Sequence, residues 1–271
     1  MKYCVNCRQP KDVLEKVDEI FVEERDYRIV PELFVKYPNK TIILEYKNQG
    51  FDLKLLKNYA EASENFVVKV YNLTDNELMF YIREYNIRFY YGYPVTNFYE
   101  VNGLIDFGCE FIKIQEPLSF EMDKLAKLNA KFRMCPNIAY SAYIPRKDGV
   151  CGQWVRPEDV KFYEDGIWAF EFEDAELIKE RTLFHIYAEN GYWPGDLNLL
   201  FTNFGVSVDN KLLMRDLGER RANCGHRCQS RGTCHYCDIN IRFQNTLKEK
   251  LSEYRELKAK KETEESEPTE G

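Results

Sequence analysis

The sequence is poor in the signatures of common enzyme chemistries. It has no G-x-G-x-x-G, no G-x4-G-K-[ST], no G-x-S-x-G and no H-E-x-x-H, which sets aside dinucleotide-fold, P-loop, serine-hydrolase and zincin readings. Histidine is scarce, with three in 271 residues. His185 lies within "TLFHIYAENG", where a core or helix-face role is the better reading. No apolar run approaches the ~18 residues of a membrane span. The N-terminal "MKYCVNCRQPKDVLEK" has no apolar stretch of the kind a secretory signal needs. The expectation is a cytoplasmic protein with no membrane association.

What is present is an ordinary globular composition, 44% hydrophobic and 31% charged, enriched in aromatics with 19 Tyr and 18 Phe. Such a chain has enough apolar surface for one large domain or a domain with an appendage. In a reducing compartment clustered thiols read as metal ligands rather than disulfides. Six of the nine cysteines are clustered: Cys4 and Cys7 as C-x2-C, and Cys224, Cys228, Cys234 and Cys237 as C-x3-C-x5-C-x2-C. Cys109 reads as a small buried hydrophobe.

The net charge of −7 argues against a protein that coats nucleic acid with its whole surface. Between Asp209 and Arg242, however, seven basic residues face four acidic ones. The basic 211–231 segment is either a solvated fluctuation or a patch for the phosphates of RNA or for another protein.

From residue 41 onward short β-rich runs alternate with stretches of helical period. The runs are 41–46, 66–71, 87–92, 110–115, 130–135 and 167–172, spaced as βα units. Ser119 reads as the N-cap of a following helix. Alternation of this kind predicts a parallel sheet with right-handed crossovers. Polar residues fall on one face of each strand (Lys69 and Tyr71, Arg88 and Tyr90, Lys113 and Gln115, Arg133 and Cys135, Glu171 and Glu173) and apolar ones on the other. Strands buried on both faces of an open sheet would be apolar throughout, so the expected fold is an irregular or incomplete (β/α) barrel with a polar interior. The remaining strands are sought within residues 1–40, around "RIVPELFV", and within 200–213, around "FGVSVD". The expected organisation is a barrel over 1–213, a Cys-rich metal-binding segment over 214–240, a helix over 241–261 and a disordered acidic tail over 262–271.

Charges inside a barrel must be paired or must meet ligand and water. Glu45, Lys69, Lys113 and Glu171 are therefore the candidate catalytic residues, placed to orient substrate or move protons. A purely structural ion network is the competing reading of the same residues.

The order of elements from Gly108 to Phe204 resembles the peptidase U32 family: "GCEFIKIQEPLSFEMDKLAKL", then "RMCPNIAY", a cysteine-bearing loop ending "GVCGQWVRPEDVKFYEDGIWAFEFED", then a helix leading into "LNLLFTNF". The resemblance implies a TIM-like barrel. In several members it also implies a [4Fe-4S] cluster used to hydroxylate RNA bases or ring substrates; others are described as peptidases. It assigns Cys135 and Cys151 to cofactor binding. This sequence departs from the family in lacking a second cysteine near Cys151 and the basic residues at the end of the 167–172 strand.

The cysteine cluster suits either zinc or a [4Fe-4S] cluster, since spacing does not separate soft metals. In one arrangement the four cysteines at 224–237 act alone. In the other, Cys4 and Cys7 join Cys234 and Cys237, leaving Cys224 and Cys228 for Cys135 and Cys151. Three functions follow: a metal-dependent modifying enzyme acting on RNA or a ring substrate, a zinc-knuckle interaction module, or a U32-type protease.

Overall fold

The computed structural model describes residues 1–48, 51–138, 153–172, 178–202, 204–205 and 207–225, with 249, 252, 253, 255 and 256. Eight parallel strands close into a barrel in chain order: β1 (Lys2–Asn6), β2 (Glu19–Val22), β3 (Thr41–Tyr46), β4 (Phe66–Val70), β5 (Phe89–Val95), β6 (Phe111–Ile114), β7 (Lys131–Met134) and β8 (Ala169–Glu171). β8 pairs back onto β1 through Lys2 and Ala169, Tyr3 and Phe170, and Cys4 and Glu171. Helices α1 (Lys11–Leu14), α2 (Val30–Lys36), α3 (Lys54–Ala62), α4 (Asn76–Glu84), α5 (Phe98–Asp106) and α6 (Met122–Leu125) fall between successive strands up to β7. After β8 come α7 (Glu180–Phe184), a π-helical turn over His185–Asn190, α8 (Leu197–Leu200) and α9 (Leu217–Ala222).

The six β-rich runs of the sequence supply β3 to β8. Residues 1–40 do supply the completion, as β1 and β2, but neither stretch named for it is a strand. "RIVPELFV" is helical, ending a 3-10 turn (Glu24–Ile29) and forming α2. Pro31 sits in the first turn of α2, where a missing N–H costs nothing and the fixed φ favours helix. "FGVSVD" does not enter the sheet either, because Val208 and Ser207 are bound to the Asp196 carboxylate that caps α8. The closing strands are instead β1 and β2, and with β8 on β1 the sheet has no free edge to accept another strand. Ser119 is also relocated. It is buried in a 3-10 turn (Leu118–Phe120), and α6 starts at Met122 with no side-chain cap. Better caps occur on α4 and α5, where Asp75 accepts from the Leu78 N–H at 3.1 Å and Asn97 from the Glu100 N–H at 2.9 Å.

Strand period 2 splits the core in two. Outward residues such as Ile42, Val68, Ile112, Phe132 and Phe170 pack with the helices in one large cluster. Inward residues Cys4, Ile43, Val67, Tyr90 and Phe111, with Phe21 and Trp168 beside them, form a second, smaller cluster. The inward charges share the period of this second set. The expected helix over 241–261 is described only at residues 249, 252, 253, 255 and 256, all helical; the tail over 262–271 lies outside the described residues.

Candidate active site at the barrel mouth

Register fixes which charges meet. Glu45 on β3 lies across from Lys69 on β4, Lys69 from Tyr90 on β5, and Lys113 on β6 from Arg133 on β7. Arg133 is fully buried, as is Glu19, to which its Nη2 donates. Its Nη1 donates to Glu171 at 2.9 Å. Glu19 also accepts from the Trp168 indole at 3.1 Å. Here an arginine fork spans two carboxylates, the arrangement that offsets the cost of burying charge. Burial alone would lower the Arg133 pKa, but Glu19 and Glu171 raise it well above the ordinary value.

Toward the C-terminal ends of the strands the interior opens into a cavity of about 410 Å³ whose walls include Phe21, Lys69, Lys113 and Glu171. Lys113 lies 3.5 Å from Glu171. Burial would raise the Glu171 carboxyl, but Lys69, Lys113 and Arg133 together hold it well below the usual carboxylate range. It therefore stays ionised across ordinary pH and serves as a fixed negative charge rather than a proton carrier. Glu45 is occupied in a different way, accepting from the Tyr71 hydroxyl at 2.6 Å and pairing with Lys47 at 2.9 Å.

Lys69 is the exception. Only 8% exposed, it makes neither an ion pair nor a hydrogen bond among the described residues. Its amine lies 4.9 Å from the centre of the Phe21 ring, 5.0 Å from Tyr90 and 5.7 Å from Tyr71. The rings attract a cation, but they also exclude the water a charge needs. Burial lowers the Lys69 pKa, Glu171 and Glu45 oppose that shift, and the Lys113 cation adds to it. Gly92 makes the arrangement fit, since a Cβ there would lie 2.6 Å from Tyr71 Cε1 and 3.0 Å from Lys69 Cε.

Of the remaining sequence candidates, the described ones form no single group. Cys4 belongs to the barrel interior beside Arg133, and burial pushes its thiol up. Cys7, three residues on, packs against the outer cluster, and burial with the nearby Asp26 raises it to about 11. Cys135 is buried with its Sγ 3.0 Å from Asn137 Oδ1, and Cys224 lies just beyond the Asn223 C-cap of α9. Among the described residues no group of three or more His, Cys, Asp or Glu is placed to hold a metal ion. Cys151, Glu173, Cys228, Cys234 and Cys237 lie outside the described residues, as do residues 226–231 of the 211–231 segment. Within its described part, Arg221 is buried against the Trp154 ring at 3.8 Å, and Arg220 pairs with Asp216 at 2.7 Å. No described helix is long and apolar enough to cross a membrane.

Sequence reasoning missed Glu19, Phe21 and the inward placement of Cys4. The signal was the alternation in "EIFV", where Glu19 and Phe21 share a face, but four residues are short for a strand assignment.

No family model matches the sequence, and no curated protein matches it. Similar solved structures include 3-keto-L-gulonate-6-phosphate decarboxylase from Vibrio cholerae, with 14% identity and a TM-score of 0.43 over 71% of this chain and 99% of that one. A native KDPGal structure has 10% identity and a TM-score of 0.41 over 70% and 89%. KGPDC from Streptococcus mutans has 13% identity and a TM-score of 0.39 over 63% and 86%. The resemblance to peptidase U32 is corrected: no family model, that of U32 included, matches the sequence. Short motifs at strand ends and helix starts recur in any βα repeat, which is why they misled.

Proposed function

We propose that the chain is an enzyme whose active site is the cavity at the C-terminal mouth of the barrel, and that its substrate is a small molecule carrying a carboxylate or phosphate. One observation supports this above the others: Lys69, a buried cation-forming group facing the cavity, has no acidic partner within ion-pair distance among the described residues. The other inward charges toward the mouth have one. Arg133 has Glu19 and Glu171, Lys113 has Glu171, and Glu45 has Lys47. An unaccompanied amine at such depth either meets an anion from outside or sheds its proton, and both uses suit a substrate site. The C-terminal face is where strand-end side chains and loops converge in barrels of this topology.

The test is calorimetric titration of the full-length protein with lactate, malonate and inorganic phosphate. Saturable binding of at least one, lost in both Lys69→Met and Lys113→Met and retained in the exposed Lys127→Met, is the expected result. Absence of binding by all three, or binding indifferent to Lys69 and Lys113, contradicts the reading. The carboxylate and phosphate arms decide which anion the mouth prefers.

A further inference from the structure

The mouth holds several reactive groups, and all but one are engaged. The Tyr71 hydroxyl donates to Glu45, Lys113 lies against Glu171, and the Cys4 thiol is 4% exposed beside the Arg133–Glu19 pair. Among the described residues, the Lys69 amine borders the cavity with three rings within 6 Å and with no carboxylate at ion-pair distance. We propose that Lys69 is a nucleophile, condensing through its amine with the keto carbon of a 2-oxo acid held in the mouth. This rests on reading the mouth as the active site, and it names the atom and the substrate class.

Three features point to that class. A nucleophilic lysine needs an unprotonated lone pair, which desolvation and a neighbouring cation both favour; Lys69 has the rings of Phe21, Tyr71 and Tyr90 for the first and Lys113 for the second. A 2-oxo acid carries its carboxylate one bond from its carbonyl, so it needs a cation close to the nucleophile, and Lys113 shares the cavity. The cavity, at about 410 Å³, also has room for a longer chain on the far side of the keto group.

The step balances without an oxidant or reductant. The amine lone pair bonds to the carbonyl carbon as the C=O π pair moves to oxygen, giving a carbinolamine. One amine proton passes to that oxygen to complete the carbinolamine hydroxyl; the hydroxyl then takes one proton from solvent and leaves as water while the nitrogen lone pair forms the C=N bond. The iminium so produced carries one positive charge, and Glu171, held ionised by its cationic neighbours, is the anion that faces it. The charged or titratable groups around Lys69 are Cys4 on β1, Glu45 on β3, Tyr90 on β5, Lys113 on β6 and Glu171 on β8, with Tyr71 after β4.

The test is reductive trapping. Full-length protein is incubated with pyruvate and sodium cyanoborohydride, whose hydride converts the iminium to a stable secondary amine, and labelled lysines are mapped by peptide mass spectrometry. Lactate, which has the carboxylate and no carbonyl, is titrated in parallel. Label concentrated on Lys69 over exposed lysines such as Lys127, and abolished in Lys69→Arg, is expected. The wild-type map is decisive on its own, so instability of the variant does not blur it; Lys69→Met serves as a second control. Lactate binding with Lys69 unlabelled overturns the nucleophile while leaving the mouth as an anion site. Label spread evenly over surface lysines also overturns it. No lactate binding together with no Lys69 label removes both readings.

Discussion

Arg133 and Lys69 stand in the same barrel interior, both over the Tyr90 ring and both within reach of the Glu171 charge, but only Arg133 has carboxylates at ion-pair distance. Arg133 is fully buried with a carboxylate on each arm, one of them shared with the Trp168 indole. Lys69 is nearly as buried, has rings where Arg133 has carboxylates, and borders a cavity. A low-dielectric interior tolerates a charge that is saturated with partners and penalises one that is not. The first arrangement fixes the barrel. The second is the one we propose holds a reactive amine.

The comparison breaks most visibly in stability. Removing one member of a buried pair strands the other, at about 3–5 kcal/mol. Arg133→Met, which leaves Glu19 enclosed and uncompensated, is expected to lower unfolding free energy by that order. Lys69→Met breaks no ion pair, leaves Glu171 with Lys113 and Arg133, and removes an unpaired buried amine, so its unfolding free energy stays within about 1 kcal/mol of wild type or rises. Urea unfolding of the two variants measures the contrast, and equal losses would erase it.

Acid separates the same two regions next. The folded-state pKa of Glu171 lies below its unfolded value, so its contribution is fully present above an unfolded pKa of about 4.3. It is lost as pH falls from there toward the folded value. Wild type should therefore lose stability steeply over that acid range, and Glu171→Gln should flatten the slope. Thermal midpoints read at successive pH values test this, and parallel slopes would contradict it.

Much of this geometry was readable in the sequence, and the gaps have physical reasons. The odd-numbered polar positions Lys69, Lys113, Arg133 and Glu171 announced an interior because parallel strands rarely carry charge at alternate positions unless that face is shared. β3 to β8 were found for the same reason. β1 was hidden because "KYCVN" carries half of a C-x2-C and was read as a metal knuckle; strand period sends Cys4 and Cys7 to opposite faces instead. β2 was hidden because Glu19, a fully buried acid in a four-residue run, looks like a loop residue until Arg133 is seen beside it. With β2 unseen, nothing in the sequence distinguished Arg133 from Lys69, and both counted as equal members of one charged interior. The family resemblance failed because it rested on local motifs, which record βα geometry rather than the chemistry of a site.

Two smaller effects sharpen the contrast. Lys113 lowers the Lys69 pKa and Glu171 raises it, so their removal should move the pH profile of pyruvate trapping in opposite directions. Lys113→Met shifts the onset to higher pH, and Glu171→Gln shifts it to lower pH. Shifts of the same sign would mean that neither charge acts on Lys69. The least effect is expected from Gly92→Ala. The new methyl meets the edge of the Tyr71 ring and the Lys69 Cε, both of which yield by leaving their rotamers at a cost of about 0.5–1.5 kcal/mol. Trapping slows while the far-ultraviolet circular dichroism stays that of wild type; an unchanged rate would show that the glycine does not position the amine.

The most direct measurement is the titration of the Lys69 amine itself. The lysines are dimethylated with ¹³C-formaldehyde and followed by nuclear magnetic resonance against pH, the Lys69 signal being identified by its absence in Lys69→Arg. The account predicts a Lys69 midpoint below that of every exposed lysine, moving upward in Lys113→Met. A midpoint at the ordinary lysine value of about 10.4 would mean that the amine stays charged in the mouth, and would contradict its role as nucleophile.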